Sequence, residues 1–200
     1  MSFDLFLALV AFAFVTVITP GPNNLMLMAS GANFGFRRSV PHMMGIGLGF
    51  PAMVFLVGVG AMRIFDLWPA SYLILKVLSV VYLLYLAWKI ANAAPPAEAS
   101  VEGRPLTFVQ SAAFQWVNPK AWSMALSAIT LYAASRDLGA VLWVAGTYVG
   151  VSVVSTTSWT VMGQQVRRLL TSPRRLRVFN GVMAALLVAT LVPVLWPGQG

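Results

Sequence analysis

The 200-residue chain has no cysteine, one histidine and five acidic residues. Without cysteine there is no disulfide, no thiol redox shuttle and no thiolate metal site. One histidine and so few carboxylates give little from which to build a metal cluster or a nucleophile with its base. Charged residues make up 9% of the chain. A soluble domain carries about 25%. So little charge cannot cover a soluble surface of this size. Positive charge is also missing from the first residues. The opening "MSFDLFLALV" has an acid and no basic residue, so its hydrophobic run reads as a retained span rather than a secretory signal.

What the chain does have is apolar length, at 59% hydrophobic residues. Charge-free runs cover 5–36, 39–62, 121–135, 138–166 and 178–200. A helix needs about 20 apolar residues to cross a hydrocarbon core of about 30 Å. The short alternating strands of a barrel are not evident. The fold class expected is therefore all-α, a polytopic membrane protein. Six spans are predicted, at 4–29, 42–62, 71–91, 107–134, 138–164 and 178–196. The whole chain, 1–200, is read as a single transmembrane domain. Its one polar, Pro- and Ala-rich stretch, "ANAAPPAEASVEGRP", marks a cytosolic linker at 95–106 between halves 1–94 and 107–200. Three spans per half is an odd number, so the second half enters the bilayer in the opposite sense, as an inverted repeat requires. At an offset of 97 residues Pro22 aligns with Pro119, Ser30 with Ser127 and Gly49 with Gly146. The first span of each half carries a breaker proline, so both first helices are expected to be broken. Gly45 with Gly49, and Gly146 with Gly150, have the spacing that lets helix backbones approach closely in lipid.

The net charge is +8, and nine of the thirteen Lys and Arg fall in three loops. These hold Arg37 and Arg38; Lys89 and Arg104; then Arg167, Arg168, Arg174, Arg175 and Arg177. Alternation of basic and non-basic loops follows the positive-inside rule and places both termini outside. The tract "RRLLTSPRRLR" is expected to meet anionic lipid headgroups. Topology accounts for these charges without nucleic acid.

The candidate site comes from the breakers. Pro20, Gly21 and Pro22 lie 16 or more residues into the first span, about 24 Å of helix. Pro119 lies 12 residues into the fourth, about 18 Å, entered from the opposite face. The two breaks should overlap in depth. Each frees carbonyls that must face protein or a wet cavity, because lipid cannot satisfy them. Each is followed by a new helix start with free N–H groups and a partial positive charge. Lys120 adds a full charge at a depth where charge is costly. A zwitterion fits: Lys120 and helix amides for its carboxylate, Asn23, Asn24, Asn118 and open carbonyls for the rest. Alternatives remain open at this level. The prolines could lie at a membrane boundary with Lys120 solvated, and the amides could serve as helix caps alone. His42, at the start of the second span, is either an interfacial residue or a proton relay.

The ordered set "TPGPNN", "GFRRS", "GIGLGF", "YLLYLAWK" and "NPKA" resembles the LysE/RhtB family of amino-acid exporters along nearly the whole chain. "TPGPNN" with "GFRRS" is most similar to the branch that exports cysteine and O-acetylserine. The resemblance implies a bacterial inner-membrane transporter of small neutral amino acids or derivatives (cysteine, O-acetylserine or homoserine-like), driven by the proton gradient, with no cofactor. It departs from the family at Asn23, where an acid is common, and at Ser79, where glycine is common. All five acids (Asp4, Asp66, Glu98, Glu102, Asp137) read as terminal or loop residues, so a proton route would need His42 or Lys120. The function expected is export by alternating access. A membrane enzyme lacks the residues it would need. A non-transporting scaffold or assembly partner, which Gly-rich packing faces would serve equally well, is the alternative; a homo-oligomer is compatible with either reading.

Overall fold

The structure, a computed structural model, describes residues 2–61, 67, 68, 70–93, 104–133, 135 and 137–195. The expectations for Asp66, Glu98 and Glu102, and for most of the 95–106 linker, lie outside the described residues. Among those described, every regular element is helical. In chain order they are α1 Phe3–Ile18, α2 Pro22–Phe34, α3 Phe36–Leu56, α4 Ala70–Ala91, α5 Phe108–Phe114, α6 Pro119–Tyr132, α7 Leu138–Leu169, α8 Pro173–Ala189 and a last turn, α9 Val192–Leu195. A π turn, Val57–Ala61, prolongs α3, and a 3-10 turn, Gln115–Val117, follows α5.

Three helical stretches, Phe36–Gly60, Leu73–Ala91 and Leu138–Leu169, are long and apolar enough to cross a bilayer. The pair α1 and α2, bent by 57° at its break, makes a fourth if it counts as one span. The remaining two expected spans are shorter: 107–134 is divided into 7- and 14-residue helices, and α8 has 17 residues. Outward-facing side chains on α4 and α7 are apolar, with Val77 52%, Val81 60% and Val153 59% exposed. Such faces would be an association hazard in water, but they suit lipid.

Capping residues set the helix starts. Ser2 accepts from the amide of Leu5, Thr107 forms a capping box with Gln110, and Ser172 accepts from Arg175. Asp137 caps α7 by accepting from Ala140. The Ser135 hydroxyl and that amide hold its carboxyl below the usual carboxylate range.

The first loop differs from expectation. Residues 30–41 are not a connection: α2 runs on to Phe34, Gly35 alone makes the turn, and α3 starts at Phe36. Arg37 and Arg38 therefore sit in the first turn of α3, and His42 lies within that helix. Gly35 has φ 79° and ψ 171°, a region almost closed to residues with a Cβ. Its amide donates to Gly31 O at 3.0 Å, and Ser30 Oγ meets Ser39 Oγ at 2.8 Å across the turn. A Cβ at Gly35 would meet no atom nearer than 3.9 Å. Gly35→Ala should thus lose about 1–3 kcal/mol through backbone strain alone. Denaturant unfolding in detergent measures it, and an unchanged midpoint would contradict the assignment.

Packing centres on α7, which lies against α2, α3 and α1, while α3 also packs on α5 and α4 on α8. The main core gathers Leu9, Val17, Phe50, Met53, Val144 and Tyr148. Gly45 and Gly49 do admit a neighbouring backbone: a Cβ would fall 2.4 Å from Phe108 O at the first and 2.6 Å from Ala112 Cα at the second. Gly146 and Gly150 do not, since no atom lies within 4 Å of a Cβ on either. Their spacing repeats the motif, but their faces point away from any described neighbour.

Candidate functional site

Proline at 20 and 22 removes two amide donors in three residues, so α1 cannot continue. Its last carbonyls lose their helical partners. Side chains from three other helices replace those partners. Asn24 Nδ2, on α2, donates to Val17 O at 2.7 Å and to Thr19 O at 2.8 Å. From α7, Ser155 Oγ donates to Val17 O at 2.9 Å and Trp159 Nε1 to Ile18 O at 3.0 Å. From α6, Lys120 Nζ donates to Thr19 O at 2.8 Å, Thr19 Oγ1 at 2.9 Å and Pro20 O at 3.3 Å. The opened end of α1 is thus a cluster of carbonyls with a cation on it. The sign is right, because a helix C-terminus carries partial negative charge.

The second break mirrors the first in one respect. Pro22 opens α2 and Pro119 opens α6, each at the position where a missing N–H does no harm. Asn118 is buried and caps α6, its Oδ1 accepting from Lys120 N at 3.2 Å. The two starts differ in their caps. Gly21 offers α2 no side-chain cap. Lys120 lies directly over this glycine: a Cβ there would be 2.7 Å from Lys120 Cδ and 3.1 Å from Nζ. Gly21 is extended (φ −178°), so proximity rather than backbone strain requires glycine.

A reciprocal amide pair joins the halves beside this bridge. Asn23 Nδ2 donates to Gln115 Oε1 at 2.8 Å, and Gln115 Nε2 donates to Asn23 Oδ1 at 3.1 Å. Gln115 is fully buried and also donates to Ser111 O at 2.8 Å. A cavity of about 20 Å³ adjoins both breaks, lined by Gly21, Asn23, Asn118, Lys120, Ser152 and Thr156. That is room for about one water. The structure therefore holds a small, partly open site in which these polar groups face an apolar wall of Val17, Ile46, Phe50 and Met124.

Of the residues expected from sequence, Gly21, Asn23, Asn24, Asn118 and Lys120 line that cavity, and Pro20 lies beneath Lys120 through its carbonyl. Pro22 and Pro119 act as the first residues of their helices. His42 is elsewhere: it is buried and lines a different cavity. Thr19, Gln115, Ser152, Ser155, Thr156 and Trp159 complete the site and were not anticipated. One signal was available. Ser152, Ser155 and Thr156 stand at i, i+3 and i+4, one polar face on an apolar helix.

The amide pair has a measurable signature. Gln115→Leu should cost about 1–3 kcal/mol, because the Asn23 amide loses its partner. Adding Asn23→Leu should recover much of that loss, since apolar replacement of both partners approaches neutrality. Unfolding of the two singles and the double gives the coupling. Simple additivity would show that the pair carries no interaction energy.

The family model for LysE type translocators matches residues 14–194. The cysteine/O-acetylserine efflux protein of Escherichia coli (strain K12) is 30% identical over 188 residues, covering 92% of this chain and 94% of its own length. The protein of the same description from Shigella sonnei (strain Ss046) shows the same identity and coverage. That from Escherichia coli O139:H28 (strain E24377A / ETEC) is 29% identical over the same length. No solved structure matches the chain.

Proposed function

The chain belongs to the LysE type translocator family, and from that premise we propose that it exports a small neutral amino acid, of the cysteine or O-acetylserine kind, across the bacterial inner membrane by alternating access. The observation that carries this reading is the contact between the two breaks. Lys120, at the start of α6, reaches the carbonyls of Thr19 and Pro20 at the end of α1. A cation bound by three acceptors at an opened helix end can be exchanged for a substrate's own ammonium, which seeks the same carbonyls. The uncapped start of α2 then faces the substrate carboxylate, assisted by the released Lys120. Asn23, Asn118 and Gln115 would bind the polar side chain.

The helix contacts support two inverted repeats of three spans each. Exchanging α1 with α5, α3 with α7 and α4 with α8 turns the pair α1·α7 into α5·α3. The same exchange leaves α3·α7 and α4·α8 as they are. All four pairs are in contact. We take the ends bearing Arg37, Lys89 and Arg167 as cytosolic, with both termini outside. On this assignment the exposed Arg167, Arg168, Arg174, Arg175 and Arg177 meet anionic headgroups. Three of them stand at the start of α8, where the helix dipole disfavours cations and a phosphate compensates.

The direct test is efflux from proteoliposomes loaded in turn with labelled cysteine, O-acetylserine and homoserine. Loss of at least one solute should outpace that from protein-free vesicles. Equal loss of all three would contradict the substrate class.

A further inference from the structure

A second cavity, of about 60 Å³, lies between α2, α3, α4 and the segment 104–106, lined among others by Ser30, Asn33, His42, Lys89 and Arg104. His42 is 1% exposed, and neither ring nitrogen has a hydrogen-bond partner. A buried imidazole left in that condition is costly. The side-chain amide in the cavity's lining is already committed. Asn33 donates to Ala29 O and Asn180 Oδ1, each at 2.8 Å, and accepts from Asn180 Nδ2 at 3.1 Å. Ser30 is held against Ser39. The uncommitted polar groups are therefore the imidazole and two cations, neither of which has a carboxylate partner among the described residues. Such a lining is rich in donors and poor in acceptors. It fits an anion, and the volume exceeds the 10–15 Å³ or so that one water needs.

We propose that this cavity binds the carboxylate of a small amino acid, held by Lys89, Arg104 and an N–H of His42, as a loading site ahead of the central one. The positions favour a sequence of two sites. Helix α2 presents Asn23 and Asn24 to the central cavity and Met26, Ala29 and Asn33 to this one. On α3, Ile46 lines the central cavity and His42, about 6 Å earlier along the axis, lines the second. A solute leaving the Lys89–Arg104 end would thus move along α2 toward the breaks. Choosing an amino acid as the solute rests on the export reading; the carboxylate chemistry does not.

His42 is the only histidine in the chain, so ring-labelled histidine gives one NMR signal from the whole protein in lipid nanodiscs. Titration with L-serine or acetate should shift that signal, and ethanolamine, which lacks the carboxylate, should not. Lys89→Gln with Arg104→Gln should weaken the serine and acetate response at least tenfold, whereas Lys120→Gln should leave it in place. The ligand-free His42 signal reports whether each variant is folded. Should the double variant fail, Arg104→Gln alone, at an exposed side chain, should weaken the response several-fold. No shift with serine or acetate, an equal shift with ethanolamine, undiminished binding in the Gln variants, or binding lost only with Lys120 would each overturn the proposal. Because binding is read without flux, a carboxylate response in a protein that fails to export would retire the export reading alone.

Discussion

Lys120→Ala is expected to abolish export while the protein still inserts and folds. The alanine removes every contact across the two breaks that involves a charge, leaving Thr19 O with Asn24 alone and Pro20 O without a side-chain donor. Hydrogen bonds to charged groups contribute about 1.5–3 kcal/mol each. Lys120 is half-buried, so the lower end applies. Two of its three bonds alone, present in one state of the cycle and absent in another, amount to about 3 kcal/mol, or roughly 100-fold in the balance between states. Folding should suffer less. Asn24, Ser155 and Trp159 still hold the carbonyls of Val17 to Thr19. Lys120→Arg should not rescue, because a planar guanidinium cannot reproduce a compact ammonium lying over Gly21. Efflux rates and detergent melting, measured on the same preparations, separate the two effects. Wild-type flux from the alanine variant would remove Lys120 from the mechanism.

The largest expected loss of stability is at the crossing of α2 and α7. A Cβ on Gly31 would lie 2.1 Å from Thr160 O, and one on Gly163 would lie 2.0 Å from Met28 O. Both obstacles are backbone atoms of packed helices and cannot swing aside. Overpacking a core usually costs about 1–3 kcal/mol and sometimes more; contact with two rigid backbones puts Gly31→Ala and Gly163→Ala at about 3 kcal/mol or beyond. Gly146→Ala is the control, since a Cβ there touches nothing. Its change should stay within about 0.5 kcal/mol. Yield of folded protein and its melting temperature provide the comparison. Similar behaviour in all three variants would mean that the helices are not this close.

Much of the site was legible in the sequence because proline and glycine act locally. Pro20, Gly21 and Pro22 interrupt a helix wherever they stand, and Asn118–Pro119 reads as a cap followed by a first helical residue. The need to satisfy the freed carbonyls was equally visible, since it follows from the breaks. Their partners were not. Ser155 and Trp159 reach α1 from more than 130 positions away, and no local pattern names that pairing. Lys120 stands out in the sequence as a charge out of place, but its contact with the end of α1 does not. In this structure the end of α1 holds its ammonium, because an opened helix C-terminus is itself a partner for a cation. Gly31 and Gly163 form no motif with each other, so the tightest crossing was invisible. The GxxxG-like spacing at 146–150 marked a face that packs on nothing described. The long loop expected before α3 collapsed to Gly35 for a similar reason: a lone glycine in an apolar run does not announce a positive φ.

The contact between the breaks can be measured in a bilayer. Thr19–Pro20 is the only Thr-Pro pair in the chain, so carbonyl-labelled threonine with nitrogen-labelled proline isolates the Thr19 carbonyl by solid-state NMR. Dipolar recoupling to side-chain-labelled lysine should then show an ammonium nitrogen in direct contact with it, as the 2.8 Å hydrogen bond requires, and Lys120→Ala should erase the contact. A Thr19 carbonyl with no lysine beside it, and a Lys120 ammonium exchanging freely with bulk water, would contradict the account.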